Sequence, residues 1–118
     1  MKIKLDGLDI LFSQFIRRRT GGYCERCGKF NGWKRLQTSH FIGRAKRSVR
    51  WDEDNAVGLC FGCHQYFTSH PLEHTEWFKK RLGDRFDLLI ARTRNTHPKP
   101  DKEAITLYFK TKIKELEG

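Results

Sequence analysis

Asp54-Asn55-Ala56-Val57-Gly58-Leu59-Cys60-Phe61-Gly62-Cys63-His64 is the stretch on which the fold turns, because it ends in a C-x-x-C pair. A second pair, Cys24-Glu25-Arg26-Cys27, precedes it, with 32 residues between the two. A C-x-x-C turn points two thiolates at one centre, and two such turns complete a tetrahedral S₄ site suited to zinc. A redox C-x-x-C calls for a strand before it in a βαβ context, which is missing, and has no need of a second copy. Zinc can contribute on the order of 10 kcal/mol to folding. That would offset the thin core expected of 118 residues with only 37% hydrophobic content. We therefore expect Cys24, Cys27, Cys60 and Cys63 to hold a structural Zn²⁺.

Working outward, the spacing of Leu8, Leu11, Phe12, Phe15 and Ile16 predicts an amphipathic helix over about 6–19. Arg17-Arg18-Arg19 closes it and suits either the negative end of the helix dipole or a nucleic-acid contact; Gly21-Gly22 stops it. Short strands are expected near 35–42 and 56–59, with a loop through Gly43–Asp54 between them. A helix should then start at Cys60–His64 and run to about Ser69. Beyond Pro71 the pattern is helical: one segment with Trp77, Phe78 and Leu82 up to Gly83, another with Phe86, Leu89 and Ile90. Pro98 and Pro100 interrupt it, and Asp101 can cap a last helix carrying Ile105, Tyr108, Phe109, Ile113 and Leu116. Trp77 reads as core. The expectation is one α+β domain over 1–118: a helix, a zinc-stapled core at about 23–70, and a helical extension at about 71–118.

The charge is polarised. Residues 1–50 hold 13 Lys/Arg against 3 Asp/Glu, whereas residues 51–118 hold 11 of each, for a formal net charge of +10. Such a face suits a polyanion, nucleic acid first, bound with counterion release. A membrane surface fits poorly, because no basic amphipathic anchor accompanies the charge. No apolar run approaches the roughly 20 residues of a membrane span. Met1-Lys2-Ile3-Lys4 leads into an amphipathic segment without a signal-peptide core, so a cytoplasmic location with reduced thiols is expected.

Three pieces stand in order: Thr38-Ser39-His40-Phe41, then Asp54–Cys60, then Cys63-His64, with His40 lying 15 residues before Asn55. Together they resemble the HNH (ββα-metal) endonuclease pattern, in which Asn is followed by a hydrophobic residue, Leu-Cys and x-x-Cys-His. That resemblance implies a small treble-clef-like core flanked by helices. It also implies a metal-dependent DNA endonuclease with His40 as general base, His64 as ligand of a catalytic Mg²⁺ or Mn²⁺, and Asn55 tying the loop to the strand. The chemistry agrees. Phosphodiester hydrolysis needs a deprotonated water and positive charge near the leaving 3′ oxygen, and a neutral imidazole is a suitable base near pH 7. Many relatives carry an acidic or His ligand just before the base, where this chain has Ser39. The cation is then held mainly by His64 and DNA phosphate, or by a further residue; His70 is the candidate if the helix ends before Pro71. His74 is a weaker one, and His97 reads as exposed linker.

Arg44, Lys46, Arg47 and Arg50 fall in the loop between His40 and Asn55 and are expected to contact phosphates. Trp51 reads as packing in preference to base stacking. The stretches His40-Phe-Ile-Gly-Arg44, Val49-Arg-Trp-Asp-Glu-Asp-Asn55 and Cys63-His-Gln-Tyr-Phe-Thr68, with the leading helix, resemble the phage NinG/Rap recombination nucleases. This implies branched DNA as substrate, in a bacterial or phage-infected cell. A homodimer would use the apolar surface of the C-terminal helices. The competing readings are a zinc module that binds DNA without cutting it and a protein-interaction scaffold.

Overall fold

The computed structural model describes residues 4–118, so the reading of Met1–Ile3 lies outside the described residues. Helix α1, Gly7–Arg18, begins where Asp6 accepts from the Asp9 N–H and the Asp9 carboxylate accepts from the Asp6 N–H, a reciprocal cap on both free amides. Its apolar stripe, Leu8, Phe12, Phe15 and Ile16, is buried. The arginines that close it are used internally. Arg17 donates to the Ser13 carbonyl, Arg18 pairs with Glu117, and Arg19 reaches the carbonyls of Glu53 and Ala56.

Strands β1 (Gln37–His40) and β2 (Ala56–Leu59) pair antiparallel, Gln37 opposite Leu59 and His40 opposite Ala56. Every residue of β2 is buried, so the hairpin has two covered faces. The alternation in Ala56-Val57-Gly58-Leu59 shows how. Small Ala56 and Gly58 meet the side of α1, where a Cβ on Gly58 would come within 3.5 Å of the Arg17 Cα. Bulky Val57 and Leu59 fill the opposite core with Leu36, Val49, Phe67, Phe78, Leu82 and Leu89.

Helix α2, Phe61–Ser69, is capped by Cys60; α3 (Pro71–Leu82) begins with proline in its first turn, α4 spans Arg85–Arg94, and α5 (Lys102–Glu117) is capped by Asp101. The described residues thus form a compact α+β fold of five helices and one two-stranded sheet. Phe109 and Ile113 of α5 join α1 in a second core, with Phe109 against Phe12 and Phe15 at ring separations of 5.1 and 5.3 Å. Leu107 and Leu116 stay exposed on α5. No helix among the described residues is long and apolar enough to cross a membrane.

Trp51 is buried and donates from Nε1 to Asp9, as packing requires. Arg50 departs from expectation. Its side chain is 7% exposed and forks onto the Asp9 carboxylate at 2.9 and 2.6 Å, so its donors are not free for phosphate. It also donates to the Lys4 carbonyl. Asp9→Ala would leave a buried, uncompensated guanidinium and is expected to cost about 3–5 kcal/mol, read as a lowered urea midpoint.

Candidate functional site

The first cysteine pair sits in a knuckle closed by a bridge between Tyr23 and Phe30. The second begins α2, where the Cys60 thiol accepts from the Cys63 N–H. All four cysteines are free, their Sγ atoms lie within 4.8 Å of one another, and those of Cys27 and Cys60 are 3.9 Å apart. Zinc–thiolate bonds of about 2.3 Å place tetrahedral sulfurs about 3.8 Å from each other. The cluster is therefore positioned to hold one metal ion and is consistent with structural zinc.

Burial works against the Cys24 thiolate, but the N–H groups of Cys27, Cys60 and Arg26 outweigh it and bring the thiol down to about 7. Burial pushes Cys63 up to about 12, although the Arg26 guanidinium, 3.5 Å from its sulfur, opposes this. Arg26 stacks over Tyr66 at 4.3 Å and so lies ready to balance thiolate charge. Glu25, inside the first pair, pins the knuckle to the sheet. Its N–H donates to the Gly58 carbonyl, its carboxylate accepts from the Gly58 N–H, and Arg19 and Arg81 pair with that carboxylate.

His40 ends β1. Its Nε2 lies 3.1 Å from the Arg50 carbonyl oxygen, which can only accept, so Nε2 carries the proton and Nδ1 keeps a lone pair. That Nδ1 is covered and has no hydrogen-bond partner. Burial pushes the imidazole down to about 4, and the Arg44 guanidinium adds to the effect. Phe12 of α1 packs on the ring with centroids 5.6 Å apart.

Asn55 is fully buried and acts as a three-way clasp. Its Oδ1 accepts from the Ile42 N–H at 2.8 Å, and its Nδ2 donates to the carbonyls of Ile42 and Val49 at 2.9 and 3.0 Å. The basic loop is thereby closed on itself beside His40. Asn55→Ala strands one buried and two part-buried backbone groups and is expected to lower stability by about 3 kcal/mol, measurable by denaturant unfolding.

A cavity of about 440 Å³ opens where β1, the loop and helices α2 and α3 meet, and His40, Arg44 and His64 all line it. Asn55 lies beneath this site as a support. Lys46 and Arg47 are exposed on the loop and line a separate cavity of about 500 Å³ with Lys99. His97 is exposed. His70 is not brought to the first cavity. It stacks on Tyr66 with centroids 4.0 Å apart, and its Nδ1 lies 2.8 Å from the Tyr66 carbonyl. His74 lines the cavity in its place, because the chain breaks direction at His70 between α2 and α3.

The spacing of residues left Asp9 and Glu25 unassigned and ranked His74 below His70 as a ligand. Asp9 reads as an ordinary helix cap and Glu25 as filler between two cysteines. A helical wheel could have found His74 only with the corner at His70 already known. Comparison of the chain with family models, with curated proteins and with solved structures returned no match.

Proposed function

We propose that this protein is a metal-dependent endonuclease of the HNH (ββα-metal) type, hydrolysing phosphodiester bonds of DNA in the cavity shared by His40, Arg44 and His64. One observation carries the reading. His40 is fixed by the Arg50 carbonyl in the tautomer that leaves Nδ1 as a free base, on the wall of a cavity that also holds a second imidazole and a guanidinium. A module that only bound DNA would have no use for that arrangement.

In this mechanism His40 Nδ1 takes the proton from the attacking water. Its depressed basicity keeps it neutral, hence proton-accepting, throughout the physiological range. Arg44, whose Nε is buried without a partner, places positive charge beside the phosphate as negative charge builds on the phosphorane. His64 presents an imidazole nitrogen from the first turn of α2, next to Cys63. A divalent cation such as Mg²⁺ or Mn²⁺ bound there would stabilise charge on the leaving 3′ oxygen. The donor set fits a divalent transition ion, since imidazole nitrogens bind such metals and the cavity has room for phosphate and water. Lys46 and Arg47 extend the basic surface along the loop, where phosphate contacts would position the strand without reading its sequence.

The resemblance to recombination nucleases makes branched DNA the substrate of choice. The test is cleavage of plasmid and four-way-junction DNA by zinc-loaded protein with Mg²⁺ or Mn²⁺, beside His40→Ala. The wild type should cut, and the variant should bind DNA and zinc but not cut. Equal cleavage by both would remove His40 from its role, and binding without any cleavage by the wild type would favour the DNA-binding module.

A further inference from the structure

We infer that His74 joins His64 in holding the catalytic cation, and that this carboxylate-free, two-imidazole site selects manganese or a later transition ion over magnesium. The inference rests on the function proposed above and names the protein ligand that Ser39 and His70 do not supply.

The cavity lining decides the chemistry. Thr38, Ser39, Thr68, Arg44 and three histidines provide its polar groups, and neither Asp nor Glu is among them. Magnesium seeks hard oxygen ligands, usually one or two carboxylates, and sheds its water reluctantly. Imidazole suits the first-row transition ions better than it suits magnesium, with manganese at the weak end of that series and nickel and zinc well above it. A site with no anionic side chain and several imidazoles is therefore mismatched to magnesium.

Of the three imidazoles, two are available. The His40 Nε2 is committed to the Arg50 carbonyl, and its Nδ1 is the proposed base. His64 comes from the first turn of α2. His74 comes from the first turns of α3, beyond the corner at His70. The Thr68 hydroxyl already donates to the His64 carbonyl, and like Ser39 it is a weak neutral donor to a cation.

The His74 ring is held in place. It stacks on Phe67 at 4.8 Å and 25°, and meets the rings of Phe41 and Phe78 edgewise at 5.9 and 5.1 Å. Three aromatic neighbours fix an imidazole that nevertheless has a buried Nε2 without a hydrogen-bond partner. A phenyl ring would fill such a cage without that cost, whereas a nitrogen aimed at an ion gives the histidine a purpose.

The experiment is an EPR titration of zinc-loaded protein with Mn²⁺, with Mg²⁺ as competitor. His64→Ala, His70→Ala and His74→Phe are run beside the wild type. His74→Phe keeps an aromatic ring in the cage, and zinc content with far-UV circular dichroism reports that each variant is folded. The wild type should take up one Mn²⁺ that a tenfold excess of Mg²⁺ does not displace. His64→Ala and His74→Phe should each weaken Mn²⁺ by at least about tenfold, and His70→Ala should leave it unchanged. Wild-type affinity in folded His74→Phe, with loss in His64→Ala, overturns the role of His74 and leaves the proposed nuclease centre standing. Displacement of Mn²⁺ by equal Mg²⁺ overturns the selectivity. If His64→Ala has no effect either, no cation resides at that cavity, and the cation-dependent function proposed above falls with the inference.

Discussion

Stripping the metal from the four-cysteine cluster is expected to unfold the protein outright. Three elements of the first core (the knuckle, β2 and α2) converge on Cys24, Cys27, Cys60 and Cys63. Without the ion, four sulfurs within 4.8 Å of each other must either stay protonated or repel as thiolates. With it, binding energy on the order of 10 kcal/mol becomes folding energy, which is comparable to the whole stability of a typical domain. A chelator titration followed by far-UV circular dichroism should show cooperative loss of helix, reversed by added zinc. Cys60→Ser should behave like the stripped wild type. Retention of full helical signal after complete metal removal would show that the cluster is dispensable for the fold.

Replacing His40 by alanine should abolish catalysis while sparing binding. General-base contributions of about 10²–10⁴-fold set the size of the loss in single-turnover cleavage. Arg44, Lys46 and Arg47 are untouched by the change, so DNA affinity and its salt dependence should persist. The depressed basicity of His40 adds a second signature. Its folded value of about 4 lies below the ordinary imidazole value of 6.5, so the unfolded chain binds more protons between those limits. This group therefore contributes fully above about pH 6.5, and its contribution to stability declines as pH falls toward 4. Stability in His40→Ala should consequently be less acid-sensitive in that window, which denaturant melts at pH 7 and 4.5 would reveal.

Much of this molecule is legible before any coordinates. Helix α1 was expected at about 6–19 and occupies Gly7–Arg18, and Asp101 caps α5 as its position before an apolar stripe suggests. The cysteine cluster follows from two short spacings, because a C-x-x-C turn has few ways to point its sulfurs. The fates of Arg50 and His70 could not be read that way. Arg50 lies in a basic run whose other members reach the surface or the cavity, yet its partner Asp9 is 41 residues away on another helix. Only the folded chain shows that this arginine carries the His40 acceptor on its own backbone and is itself anchored by Asp9. His70 and His74 are indistinguishable by composition. The turn between α2 and α3 decides between them, sending one ring onto Tyr66 and the other onto Phe67.

The packing of α5 on α1 has a consequence for the order of synthesis. Phe12 covers the His40 ring on one side and meets Phe109 on the other. A ribosome releases α1, His40, Asn55 and all four cysteines well before Phe109 and Ile113 emerge, so a nascent chain can gather its cysteine cluster while the second core still waits for α5.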